Sequence, residues 1–222
     1  MESKLPFSNY DFWAYLAAGF LLLFAVDQVT GRNLLMRESW TVVQGVIAVS
    51  LAYVVGHVAA GVSAWLLEKN LVGRCLGYPR DILFGQPRGR RWLWRIWPGY
   101  FAPMPMSVQQ AVRVRASAAD LEPEAMFWPA YHYTRSIPAA AARLDSFLNL
   151  YGFCRNISLV ALFDAALFYW SYMQPHGPKD HLLWSRCALV LSVAMLGRYL
   201  KFYRHFALDV FTTWAYSPEK KS

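Results

Sequence analysis

The run PAAAARLDSFLNLYGFCRNISLVALFDAALFYWSY, Pro138–Tyr172, decides the fold. Pro138 sits where a helix tolerates proline, in its first turn, and four alanines follow it. Nothing before Tyr172 interrupts a helix, and Gly152 is its one weak point. At ~1.5 Å per residue the run is about 50 Å long, against ~30 Å of bilayer hydrocarbon. The apolar part near residues 154–173 is long enough to span, so roughly 20 Å is expected to stand out of the membrane.

Three further apolar stretches lie near residues 7–26, 41–63 and 182–199, each close to the ~20 residues a spanning helix needs. The chain therefore reads as an all-α membrane protein with four transmembrane helices arranged as two hairpins. Residues 1–69 form the first hairpin. Residues 70–148 form a mostly helical and irregular cytoplasmic insert between helices 2 and 3. Residues 149–222 form the second hairpin with a cytoplasmic helical tail, because Gly197–Tyr216 stays helix-compatible beyond Arg198.

Composition and charge agree with that layout. Hydrophobic residues make up 56% of the 222 and charged residues 16%, too apolar for a typical soluble domain. The net charge of +8 is unevenly placed. Of 22 Lys and Arg residues, eleven lie in Lys69–Arg143 and five in Arg198–Lys221. The short connections Gly31–Arg37 and His176–His181 carry only Arg32, Arg37 and Lys179. The positive-inside bias puts the insert and both termini in the cytoplasm of a bacterial inner-membrane protein. Glu2 beside Lys4 removes the basic region of a signal peptide, so the first helix is expected to be retained. Cys75, Cys154 and Cys187 have no CxxC spacing and read as reduced and structural.

Local features refine the layout. Trp13 and Tyr15 suit an interfacial aromatic belt, and Asp11 and Asp27 bracket the first apolar core. Gly56, Ala60 and Gly61, with Ala59 and Ser63, form a small-residue face that lets helices approach closely. In the insert, Gly77–Pro105 reads as irregular. Ser107 and Gln110 then read as a capping box for a helix ending near Asp120.

Asp164 is the sharpest site candidate, a carboxylate near the middle of the third span. It reads either as a pore-lining or proton-linked group or as a hydrogen-bonded staple between helices. Arg186 is its cation by topology, in a salt bridge or snorkelling to the interface. Arg155 reads as an anchor for lipid phosphates, and His57 as an interhelical hydrogen-bond donor. Arg88, Arg90, Arg91 and Arg95, interleaved with Trp92, Trp94 and Trp97, suit the headgroup layer of an anionic leaflet. The same mixture suits stacking on single-stranded nucleic acid, but the membrane tether on both flanks favours lipid. Arg198 and His205 match the loose R-x(4–6)-H spacing of HEPN ribonucleases, with Tyr199 where a polar residue belongs. The histidines are scattered, so no metal site and no cofactor is expected. No Gly-rich phosphate loop, G-x-S-x-G or paired-carboxylate motif is present.

Three stretches carry a resemblance: Tyr10–Phe20, Ala52–His57 with Ser63 and Glu68, and Leu150–Asn156. With the hairpin layout, they resemble uncharacterised tetraspan inner-membrane proteins of bacterial phage-defence loci. That layout is similar to the Kiwa membrane subunit and to membrane effectors of cyclic-nucleotide defence systems. The resemblance implies a homo-oligomer that senses or perturbs the inner membrane, and it transfers no catalytic residue. The expected function is thus a non-enzymatic defence component, with inner-leaflet lipids and a soluble cytoplasmic protein as partners and nucleic acid disfavoured. A constitutive channel or transporter and a membrane-tethered HEPN-like nuclease are the alternatives.

Overall fold

The structure of the chain, a computed structural model, describes residues 9–86, 91–117 and 121–217, with side chains from Ala14 onward and not at Arg91. Trp13 and Asp11 therefore lie outside the described side chains. The described residues are helical, with no strand among them. The helices are α1 (Asn9–Val29), α2 (Val42–Ser63), α3 (Pro79–Leu83), α4 (Arg91–Ile96), α5 (Pro98–Phe101), α6 (Met106–Arg115), α7 (Pro123–Arg135), α8 (Pro138–Tyr172) and α9 (Asp180–Tyr216). Beyond Ser63, α2 continues as a π-helical stretch, Ala64–Leu76.

Among the described residues, three helical stretches are long and apolar enough to cross a membrane: Val42–Leu83, Pro138–Tyr172 and Asp180–Tyr216. The part of α1 with described side chains, Ala14–Val29, is also apolar. The chain divides into two compact units, Met1–Leu67 with Gly152–Tyr199, and Glu68–Tyr151 with Leu200–Ser222.

The first unit is built on small residues. A Cβ on Gly19 would lie 1.7 Å from the Ala52 carbonyl oxygen, and one on Gly56 would lie 1.8 Å from that of Tyr15. Only glycine lets the two backbones come this close. Ala52, Gly56, Ala59, Ala60 and Ser63 form the buried stripe, whereas Gly61, assigned to it from sequence, is exposed. One helical turn is 3.6 residues, and that period carries the stripe from Ala60 to Ser63 and past Gly61. Thr41 and Gln44 form a reciprocal capping box at the start of α2. The Asp27 carboxylate closes the α1–α2 loop, accepting from the backbone N–H groups of Leu34 and Leu35 at 2.9 Å each.

The second unit is built on large residues. Leu83, Met104, Val112, Met126, Leu144 and Phe211 share one core. The tail expected to trail the second hairpin belongs to this core, through a helical stripe of Phe206, Ala207, Val210, Phe211 and Trp214. Two expectations fail here for one reason, the use of proline. Pro79 and Pro98 occupy the first turns of α3 and α5, so part of the stretch read as irregular is helical. Pro105 is the N-cap of α6, which places Ser107 inside the helix and leaves no side-chain cap; α6 ends at Arg115, and Asp120 lies outside the described residues.

Candidate functional site

Asp164 is 5% exposed, on the buried side of α8. One turn away on either side, Val160 packs with Ala18, and Phe168 meets Phe24 with ring centroids 6.5 Å apart. The α8 face that carries Asp164 is thereby turned towards α1. Its Oδ1 has no hydrogen-bond partner among the described residues. Arg186 does not supply one. Its side chain is exposed, and no ion pair between the two occurs among the described residues. The α9 residue that faces α8 is the neighbouring Ser185, whose hydroxyl donates to the Ala165 carbonyl at 2.8 Å.

Ser185 belongs to a set of polar contacts that the sequence does not announce. Ser158 and Ser192 donate to each other's backbone carbonyls, at 3.0 and 2.8 Å. The Ser158–Ser192 and Ala165–Ser185 contacts lie seven residues apart on each helix, two turns in antiparallel register. The Ser171 hydroxyl lies 3.0 Å from Nδ1 of His181 at the far end. Serines at seven-residue spacing in an apolar run are the available signal, read in hindsight.

A second polar group lies where α2 meets α8. Ser63 donates to Oδ1 of Asn156 at 2.6 Å, and Nε of Arg155 donates to Ser63 Oγ at 3.2 Å. Arg155 is thus engaged with protein, through Nε to Ser63 and Nη2 to Asn156. His57 is exposed, and its ring lies against Tyr15 of α1 at 4.7 Å and Tyr53 at 6.1 Å. Its interhelical partner is an aromatic ring.

Of the arginine–tryptophan segment, Arg88 and Arg90 lie outside the described residues, as does the Arg91 side chain. On α4, Trp92, Trp94 and Arg95 are exposed, together with Ile96, while Trp97 is half-buried. Trp94 makes a ring contact with Phe101 at 6.0 Å. Nδ1 of His205 lies 2.7 Å from the Lys201 carbonyl of its own helix, and the ring is near Phe147. Arg198 reaches the buried Cys154 thiol. Among the described residues no group of three His, Cys, Asp or Glu side chains could hold a metal ion.

The second unit also contains a cavity of about 340 Å³ that sequence reading missed. Its lining comes from the π-helical stretch, α3, α7, α8 and α9, segments too far apart in sequence for any local pattern to join. Nearby, the Tyr100 hydroxyl donates to the Gly77 carbonyl at 2.8 Å. Burial, reinforced by Asp81, pushes this phenol above the usual tyrosine range.

Compared with known proteins, the chain matches no family model, no curated protein and no solved structure.

Proposed function

We infer that this chain is a non-enzymatic component of a bacterial inner membrane that senses or perturbs the bilayer as a homo-oligomer. On this reading α1, α2 and the apolar parts of α8 and α9 cross the membrane. The Lys/Arg asymmetry puts the second unit and both termini in the cytoplasm, available to a soluble partner. The observation that supports the reading is Asp164. A carboxylate at mid-span costs about 2.5–3.5 kcal/mol to insert, and such groups as a rule face a water path or a bundle interior. The serines of α8 and α9 already join those helices, and among the described residues Asp164 Oδ1 makes no hydrogen bond. Its role is therefore conduction or gating.

The test is ion flux into liposomes containing the purified chain, read with a pH-sensitive dye. Flux should fall in Asp164→Asn, which removes the carboxylate, while the Ser192→Ala variant conducts. Equal flux in wild type and Asp164→Asn, or none in either, overturns the reading. Topology is tested by Pro178→Cys, which should label from the periplasmic side. Native mass spectrometry from mild detergent should give an oligomer, and a monomeric mass argues against assembly.

The defence setting comes from the resemblance, and phage plating tests it. Lower plating on cells carrying the chain and its gene neighbours supports it. Equal plating with flux in resting cells favours the constitutive channel.

A further inference from the structure

Two cavities of the first unit lie apart from Asp164 and the serine contacts. Gly19 against Ala52 closes the approach of α1 to α2. On the loop side of that contact the two helices and their connection line a cavity of about 550 Å³. Its wall is apolar, with Leu23, Val26, Ile47 and Leu51, whereas its loop end carries Thr30, Arg32, Arg37 and Gln44. A second cavity, of about 810 Å³, runs along α1 from Ala17 to Phe24, about 10 Å at ~1.5 Å per residue. It reaches Phe153 of α8 and Met195 of α9, and every described residue that lines it is apolar. The two cavities share Leu35, Trp40 and Ala48, so they meet beside the loop. Both volumes fall within the ~300–1,000 Å³ of small-molecule sites.

Arg32, Arg37 and Asp27 are the charged side chains among the described lining residues. Asp27 is buried, and its two carboxylate oxygens accept from the backbone N–H groups of Leu34 and Leu35. Arg32 and Arg37 are exposed, and neither is in an ion pair among the described residues. Glu38 follows Arg37 in sequence but lines neither cavity. The loop end therefore presents two guanidinium groups, and the rest of both linings is apolar or uncharged.

The geometry points to the joined cavities as a phospholipid site, with the lipid phosphate at Arg32 and Arg37 and its acyl chains against the apolar walls. The assignment rests on the four-span reading above, which puts the α1–α2 loop at the outer face, where Trp40 suits the headgroup layer. A guanidinium can hold a phosphate through two parallel N–H bonds. A soluble phosphate compound would use the arginines and leave the apolar walls unfilled. An apolar helix of a second copy would use the walls and leave the arginines without a partner. A phospholipid uses both, and the site gives a chain that senses the bilayer direct contact with one of its lipids.

Native mass spectrometry of the full chain in mild detergent tests this. Dioleoylphosphatidylglycerol is titrated against dioleoylglycerol, the same chains without phosphate, and against glycerol 3-phosphate, the phosphate without chains. The phospholipid should bind at least ~10-fold more tightly than dioleoylglycerol, the margin of one charge-assisted hydrogen bond, and glycerol 3-phosphate should bind more weakly than the phospholipid. Arg32→Gln with Arg37→Gln should remove the advantage of the phospholipid and leave dioleoylglycerol binding unchanged. Gly45→Leu, at a lining position where an added Cβ meets open space, should weaken both lipids. None of these readouts depends on flux. Binding in a chain that does not conduct leaves the site standing, and conduction without the lipid preference overturns the site alone. Equal binding of the two lipids, an advantage that survives loss of both arginines, or glycerol 3-phosphate binding as tightly as the phospholipid overturns the assignment. So does a Gly45→Leu variant that keeps the phospholipid, and loss of oligomer mass in that variant would name a second copy as the occupant.

Discussion

On α2 of the first unit the bulky residues face outward, and in the core of the second unit they face inward. Val42, Val46, Ile47, Val54 and Val58 of α2 are exposed, while the residues buried on that helix are Ala, Gly and Ser. In the second unit Leu83, Met104, Met126, Leu144 and Phe211 are almost wholly buried. On the four-span reading, lipid gives no hydrophobic reward for bringing helices together, and α1, α2, α8 and α9 meet through close backbone approach and serine hydrogen bonds. On the same reading the second unit lies in water, which does give that reward, and it collects it through large side chains. It also places four arginines, Arg80, Arg113, Arg115 and Arg135, over aromatic rings, which keeps their charge near the surface while their stems pack. The same polypeptide thus pairs α1 with α2 by one packing rule and builds the core of the second unit by another.

Four substitutions sharpen or break that contrast. The largest effect is expected at Phe211, wholly buried, with its ring edge-on to Phe84 and Phe127 at 5.1 and 5.7 Å. Phe211→Ala should cost about 3–5 kcal/mol, read as exposure of the second unit to limited proteolysis. A loss under about 1 kcal/mol would mean that this core is loosely packed. Next is Gly56→Ala, where one methyl group meets the Tyr15 backbone. It should cost about 1–3 kcal/mol, read as a lower detergent melting midpoint, although alanine is the better helix former. An unchanged midpoint would remove the close α1–α2 approach from the comparison.

Tyr100 ranks third. Its phenol has a folded-state pKa above the unfolded value, so the stability it contributes is complete below pH ~10 and is lost as pH rises beyond that. Tyr100→Phe should cost about 1 kcal/mol at neutral pH through the bond to Gly77. It should also show a shallower decline than wild type in melts between pH 9 and 11. Parallel declines would sink the assignment. The smallest effect belongs to the serines. Ser158→Ala and Ser192→Ala should each cost about 0.6 kcal/mol, read as small drops in the detergent melting midpoint, because separated helices find other partners in lipid. A cost well above ~1.7 kcal/mol for either would place these hydroxyls in a stronger role than stitching.

The sequence was most readable where one helix runs without a break. Pro138 and Tyr172 are visible as the ends of α8 because proline starts it and the apolar run stops there. It was least readable where proline plays two parts. Pro79, Pro98 and Pro105 look like breakers but begin helices, and α7 carries Pro129 inside it. Asp164 stood out because a charge in an apolar run is conspicuous. The serine contacts did not, since a hydroxyl is ordinary at any position, and its partner is a backbone carbonyl on another helix. The cavity of the second unit was hidden because residues from 68 to 207 build it.

The glycine seam between α1 and α2 also bears on the order of events at the ribosome. α1, Asn9–Val29, has 21 residues, and at ~1.5 Å per residue it is about 31 Å long, a match for ~30 Å of hydrocarbon. On the four-span reading, α1 emerges first, and its glycine seam stays unfilled until α2 arrives. At ~5–20 residues per second, Ser63 follows Val29 by a few seconds. During that interval Gly19 has no partner, and once α2 enters, the contacts at Ala52 and Tyr15 secure both helices together. Insertion of the first hairpin is then a joint event. A reporter fused after Val29 should integrate less efficiently than one fused after Ser63, and Gly56→Leu should return the longer fusion towards the shorter. Efficient integration of the short fusion would make α1 an independent span.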